Sequence, residues 1–125
     1  MCLNRNILSY KKTASTDIVC YKFVICDKRG YLQTPYQYES VEIGETYDSE
    51  LKSSYFSVEE GLHSFKTLKD CTNYKSFWRT CIIVKCIIPK GSRYYKGKFM
   101  GFKGYASNKI QYVEEVKFNS NDLCA

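Results

Sequence analysis

The sequence predicts an α+β single domain, a mostly antiparallel sheet of about five to seven strands with one main helix. Three observations carry this. Residues 17–26 and 80–88 are rich in β-branched and aromatic residues and too short to read as helices. Only residues 68–78 place apolar side chains at helical spacing. A chain of 125 residues makes one domain, large enough to bury a core.

Residues 1–16 are polar and basic, with Lys11 and Lys12 among Ser and Thr, and read as a flexible N-terminal arm. In 17–26, Ile18, Cys20, Lys22, Val24 and Cys26 alternate with Val19, Tyr21, Phe23 and Ile25. Both sets are largely apolar, which marks a central strand. Asp27-Lys28-Arg29-Gly30 is a turn, with Gly30 supplying positive φ. Residues 31–47 are expected to be irregular and extended, because Pro35 excludes helix at Thr34, with a short strand at 41–43 ending on Gly44. A polar connection leads through Gly61 to a short strand at 62–65. Thr67 can cap the helix, with Asp70 at its third position. Leu68, Cys71, Tyr74 or Lys75, and Trp78 form its buried stripe. Residues 80–88 are the strongest strand, each apolar side chain contributing about 1.5–3 kcal/mol if buried, and Pro89-Lys90-Gly91 closes it. A further strand follows at 93–99, then a loop carrying Gly101 and Gly104, a connection over 106–110 and a last strand at 110–118. The tail, 119–125, is expected to fray. The domain is therefore 17–118.

Net charge is +6 and the pI is about 8.9, a mild bias toward anionic partners. The distribution is sharper than the sum. Glu39 to Glu60 carries seven acids against one lysine, Lys52, whereas Cys71 to Val113 carries nine Lys or Arg and no acid. These segments either pair with each other or face apart and make a dipolar surface. Met1-Cys2-Leu3-Asn4-Arg5 lacks the hydrophobic stretch of a signal peptide, and no run approaches the ~20 apolar residues of a membrane span. A cytoplasmic chain without membrane contact, its seven cysteines mostly reduced, is the expectation.

The residues bear on four chemistries. Zinc wants closely spaced cysteine pairs. Cys81 and Cys86 differ by an odd number and point to opposite faces of a strand, so no metal site is expected. Cysteine or histidine catalysis would have to use His63, the one histidine. Beside Leu62 and Phe65, that residue reads more naturally as structural. Gly91 to Lys98 has one residue too many for a phosphate-binding P-loop and Phe99 where a hydroxyl belongs. A basic aromatic surface fits best: Lys90, Arg93, Lys96, Lys98, Lys103 and Lys109 supply charge for phosphates, and Tyr94, Tyr95, Phe102 and Tyr105 supply rings for bases. A solvated hairpin whose tyrosines cover the sheet would carry the same residues.

The segments Glu60-Gly61-Leu62-His63-Ser64-Phe65, Val84-Lys85-Cys86-Ile87-Ile88-Pro89-Lys90-Gly91-Ser92-Arg93-Tyr94-Tyr95-Lys96-Gly97 and Gly104-Tyr105-Ala106-Ser107-Asn108-Lys109-Ile110 resemble a group of small uncharacterised proteins of bacteriophages and of gut bacteria carrying prophages. That resemblance implies an origin and supplies no site. A looser similarity is to ADP-ribosyltransferase-like folds, which carry an Ile-Pro-x-Gly turn after a strand and a late glutamate. It implies an NAD-using site on His63, a tyrosine and Glu114 or Glu115.

The leading expectation is a non-enzymatic, phage-derived binding module without cofactor. Its ligand is anionic: nucleic acid, nucleotide or acidic host protein. The NAD-using enzyme is one alternative, and a virion or interaction protein without a small ligand is the other.

Overall fold

Two short stretches within the segment expected as a loose arm, residues 3–5 and 12–13, pair into the sheet. In the computed structural model, which describes residues 3–5, 10–35, 37–54, 57–75 and 81–117, β1 (Leu3–Arg5) and β2 (Lys12–Thr13) both pair with a later strand. Burial explains it. Leu3 is fully enclosed and Ala14 nearly so, so two apolar side chains anchor a polar segment. The expected tail, 119–125, and Trp78 lie outside the described residues.

The central strand β3 (Ile18–Cys26) follows, and then Asp27 organises the next turn: its Oδ1 accepts from the N–H groups of Arg29 and Tyr31, both at 2.9 Å. Gly30 takes φ 85° there. The stretch 31–47, expected to be irregular apart from a short strand at 41–43, contains β4 (Leu32–Gln33), β5 (Ser40–Val41), which overlaps the expected strand at Val41 alone, and the start of β6 (Thr46–Asp48). Thr34 Oγ1 accepts from Glu39 N at 3.1 Å and closes the β4–β5 connection. After β7 (Lys52–Ser53) and β8 (Ser57–Glu60) comes β9 (Leu62–Phe65), the short strand predicted from sequence.

Helix α1 (Leu68–Lys75) is capped as predicted: Asp70 N donates to Thr67 Oγ1 at 3.1 Å. Cys71 and Tyr74 are buried, with Leu68 packed beside them. The last strands are β10 (Cys81–Ile88), β11 (Arg93–Phe99), β12 (Phe102–Ser107) and β13 (Lys109–Val116).

The sheet holds 13 strand segments, more than the five to seven expected. Six of them are only two or three residues long, too short to leave an alternation of apolar and polar residues in the sequence. All pairings are antiparallel, and the main path runs β6-β13-β10-β3-β9-β12-β11-β1-β8-β7. Two further expectations need correction. The loop carrying Gly101 and Gly104 shrinks to a two-residue turn, because Met100 and Gly101 both take positive φ, 48° and 90°, the geometry of a type I′ hairpin. The connection expected over 106–110 shrinks to Asn108, whose N–H donates to Arg93 O at 3.0 Å while its Oδ1 accepts from Arg93 N at 2.9 Å.

Both faces of the sheet are covered. One cluster gathers Phe23, Phe65, Cys71, Tyr74, Ile83 and Phe99 under α1. The other gathers Cys20, Val24, Val84, Cys86, Tyr105 and Tyr112 on the opposite face. The sequence parity argument holds here: Cys81 lies in the first cluster and Cys86 in the second. No helix among the described residues is long and apolar enough to cross a membrane.

Gly104 shows how tightly the hairpin packs. A Cβ there would sit 2.3 Å from Phe99 Cε2 and 2.7 Å from the carbonyl oxygen of Ser64. Gly104→Ala is therefore expected to cost ~1–3 kcal/mol by overpacking, measured by urea unfolding. Unchanged stability would show that this approach of β9, β11 and β12 is wrong.

Candidate functional site

The ten residues expected to make one basic aromatic surface fall into three places. Tyr94, Tyr95 and Tyr105 are buried, with exposures of 8%, 6% and 5%. Tyr95 belongs to the core under α1, its hydroxyl accepting from Ser53 Oγ at 3.0 Å. Tyr94 and Tyr105 meet edge to face on the opposite side, at 5.8 Å between centroids. Phe102 is half-buried and turned to the α1 side, against Tyr74 at 5.9 Å. None of these rings forms an exposed stacking platform.

The cations divide by position along β11. Lys90, Arg93 and Lys109 lie at its start. Lys90 N donates to Asp17 Oδ1 at 2.8 Å, and Lys109 Nζ is 3.6 Å from Asp48 Oδ1. Lys96, Lys98 and Lys103 lie near the hairpin tip and are exposed. Lys98 stands directly opposite Lys103 in the register. Lys66, which sequence reasoning did not single out, continues the row, its N–H donating to Lys103 O at 3.1 Å. Three lysines thus stand abreast on neighbouring chain segments, roughly 4.8 Å apart per step. Among the described residues, no carboxylate forms an ion pair with Lys66, Lys98 or Lys103. Like charges directly opposed on a sheet destabilise it, so this row costs stability that an anion would restore.

The acidic segment does little to neutralise the basic one. Lys109–Asp48 is the described ion pair joining them, and Lys52 serves Glu50 and Glu60 within the acidic segment itself.

A second site lies where the edge of β3 changes partner. On that edge Tyr21 pairs with Phe65 of β9, whereas Ile25 and Cys26 pair with β4. The two neighbours part between them, and a cleft of about 430 Å³ opens, lined among others by Lys22, Phe23, Pro35, Leu62, His63 and Phe65. Lys22 reaches across and donates from Nζ to the backbone oxygen of His63. Part of its side chain stays accessible, but the ammonium end is desolvated, which lowers its pKa; the Glu39 carboxylate opposes that shift.

His63 stands edge-on to Phe99 at 5.4 Å, and its Nε2 is buried with no hydrogen-bond partner. Burial, then the neighbouring Lys22 charge, pushes its pKa from 6.5 down to about 4. Burial also raises Cys20 to about 11 and Cys86 further, so both are thiols at neutral pH. Glu114 and Glu115 do not join His63. They lie on β13, separated from β9 by β10 and β3, three strand steps or roughly 14 Å away. Among the described residues no group of three His, Cys, Asp or Glu side chains is placed to hold a metal ion.

The neutral, enclosed His63 has a direct consequence for stability. Between pH 6.5 and about 4 the unfolded chain binds a proton that the folded chain refuses. Stability therefore falls as the pH drops through that window and its His63 contribution levels off below it, a loss of up to about 3 kcal/mol. His63→Gln should flatten the pH dependence by that amount in urea titrations, while parallel curves for the two proteins would contradict the enclosure of the ring.

Comparison with protein-family models, with curated proteins and with solved structures gives no match for this chain.

Proposed function

We propose that this protein is a non-enzymatic binding module for a polyanion, single-stranded nucleic acid in the first instance, acting in the cytoplasm of a host cell. The observation that carries the reading is the row of Lys66, Lys98 and Lys103 at the hairpin tip, exposed and without carboxylate partners among the described residues. Lys96 stands on the same face, one pleat behind Lys98. Lysine ammonium groups act as point charges toward phosphate, and neutralising phosphates releases counterions.

The buried rings narrow the mode of binding. With Tyr94, Tyr95 and Tyr105 inside the fold and Phe102 facing α1, base stacking contributes little and charge contributes most. Such binding discriminates weakly among base sequences and weakens steeply with salt. Glu39, Glu59 and Glu60, which line the cleft, form no ion pair with this lysine row among the described residues.

Fluorescence anisotropy with a mixed-sequence single-stranded DNA, at several salt concentrations, tests this. Wild-type protein should bind with a log–log salt slope that Lys98→Gln/Lys103→Gln shallows by about 1.4, two contacts at ~0.7 each. The variant should fold at least as stably, because opposed like charges are removed. No binding at low salt, or an unchanged slope in the double variant, would contradict the reading.

A further inference from the structure

We propose that the cleft between β3, β4 and β9 is a second, independent site that binds a basic α-amino acid, with the ligand carboxylate on Lys22 and its side-chain cation at the acidic rim. The site shares no residue with the lysine row, so it stands or falls apart from the polyanion reading.

The floor supplies the first half of the argument. Lys22 carries three N–H donors, and the only partner it has among the described residues is the backbone oxygen of His63. No carboxylate of the described residues forms an ion pair with it. A desolvated ammonium with unused donors opens into the cleft, and the carboxylate whose field it feels, Glu39 at the rim, makes no ion pair with it. His63 lines the same cleft, and its buried Nε2 has no hydrogen-bond partner. In its neutral state this ring can present an acceptor or, as the other tautomer, a donor to a bound molecule.

The rim supplies the second half. Glu39 and Glu59 line the cleft, are exposed, and have no ion pair among the described residues. Asp48 and Glu60 also line it and are already engaged by Lys109 and Lys52 at 3.6 and 3.7 Å. A purely anionic ligand would meet Lys22 but pass carboxylates to reach it. A purely cationic one would suit Glu39 and Glu59 but leave the ammonium unanswered. A molecule with a carboxylate at one end and a side-chain cation at the other satisfies both ends. Between them, Phe23, Phe65, Leu62 and Pro35 offer apolar wall for a methylene stem. A volume of about 430 Å³ is within the range of small-ligand sites.

The test uses the full chain, with His63 as the reporter, since it is the one histidine and its ring signals report on the cleft. L-Arginine, agmatine (which lacks the carboxylate) and succinate (which lacks the cations) are titrated in turn, following the His63 ring resonances by NMR and the heat of binding. L-Arginine should bind at least tenfold more tightly than either analogue. Lys22→Met should erase the preference for L-arginine over agmatine. Glu39→Gln/Glu59→Gln, which leaves the bond between Lys22 and His63 intact, should weaken L-arginine at least tenfold even if Lys22→Met fails to fold. Absence of L-arginine binding, equal binding of agmatine, or an unchanged affinity in the rim double variant would overturn the proposal.

Discussion

The pairing of β3 with β10 determines where everything else can go. Eight consecutive residue pairs, from Cys81 opposite Ile25 to Ile88 opposite Ile18, form the longest ladder in the sheet. Both strands are apolar on both faces, so each face must be covered. Helix α1 and the β1–β8 strands cover one face, around Phe23 and Ile83. The β2, β5 and β6 segments help cover the other, through Ala14, Val41 and Tyr47 around Val24 and Val84. A ladder with solvent on one side would leave Ile83 or Val84 exposed, at about 1.5–3 kcal/mol for each such side chain.

Both candidate sites follow from this two-faced burial. The hairpin β11–β12 continues both cores through Tyr95 and Phe99 on one side and Tyr94 and Tyr105 on the other. Phe99 and Phe102 carry the α1-side core up to the turn, whereas the other core ends at Tyr94 and Tyr105, with Lys96 opposite Tyr105 and Lys98 and Lys103 beyond it. The cleft arises at the opposite limit of the same constraint. β3 is longer than the partners available on its free edge, so β9 serves one end and β4 the other, and Lys22 spans the parting. The enclosure that lowers its pKa and that of His63 has the same origin, since both groups sit against a sheet covered on each side.

Local signals in the sequence revealed the long elements. The two-faced apolar runs gave β3 and β10, the Leu62–Phe65 strand appeared after Gly61, and Thr67 with Asp70 announced the start of α1. The short segments between 31 and 53 left no periodicity, because a two-residue pairing has none. The tyrosines misled for a physical reason: alternation assigns Tyr94 and Tyr95 to opposite faces, and only the presence of a core on each face decides that both are buried. The lysine row depends on register. Lys98 meets Lys103 because the turn is the two residues Met100 and Gly101, and Met100, not being a glycine, does not announce its left-handed position. Lys66 joins through a neighbour far away in sequence. Lys22 did leave a signal, a single charge among Ile18, Cys20 and Val24 on one face of a strand, but its cleft is built from three non-contiguous segments and leaves none.

Amide hydrogen exchange resolved to single residues tests the two-faced ladder most directly. If β3 and β10 are the shared spine of both cores, their central amides exchange only through global unfolding and are the slowest in the molecule, while amides near Met100 and Gly101 exchange through local opening. Exchange across β10 as fast as at that hairpin tip would contradict the account, because a strand buried on both faces has no cheaper route to solvent than unfolding the domain.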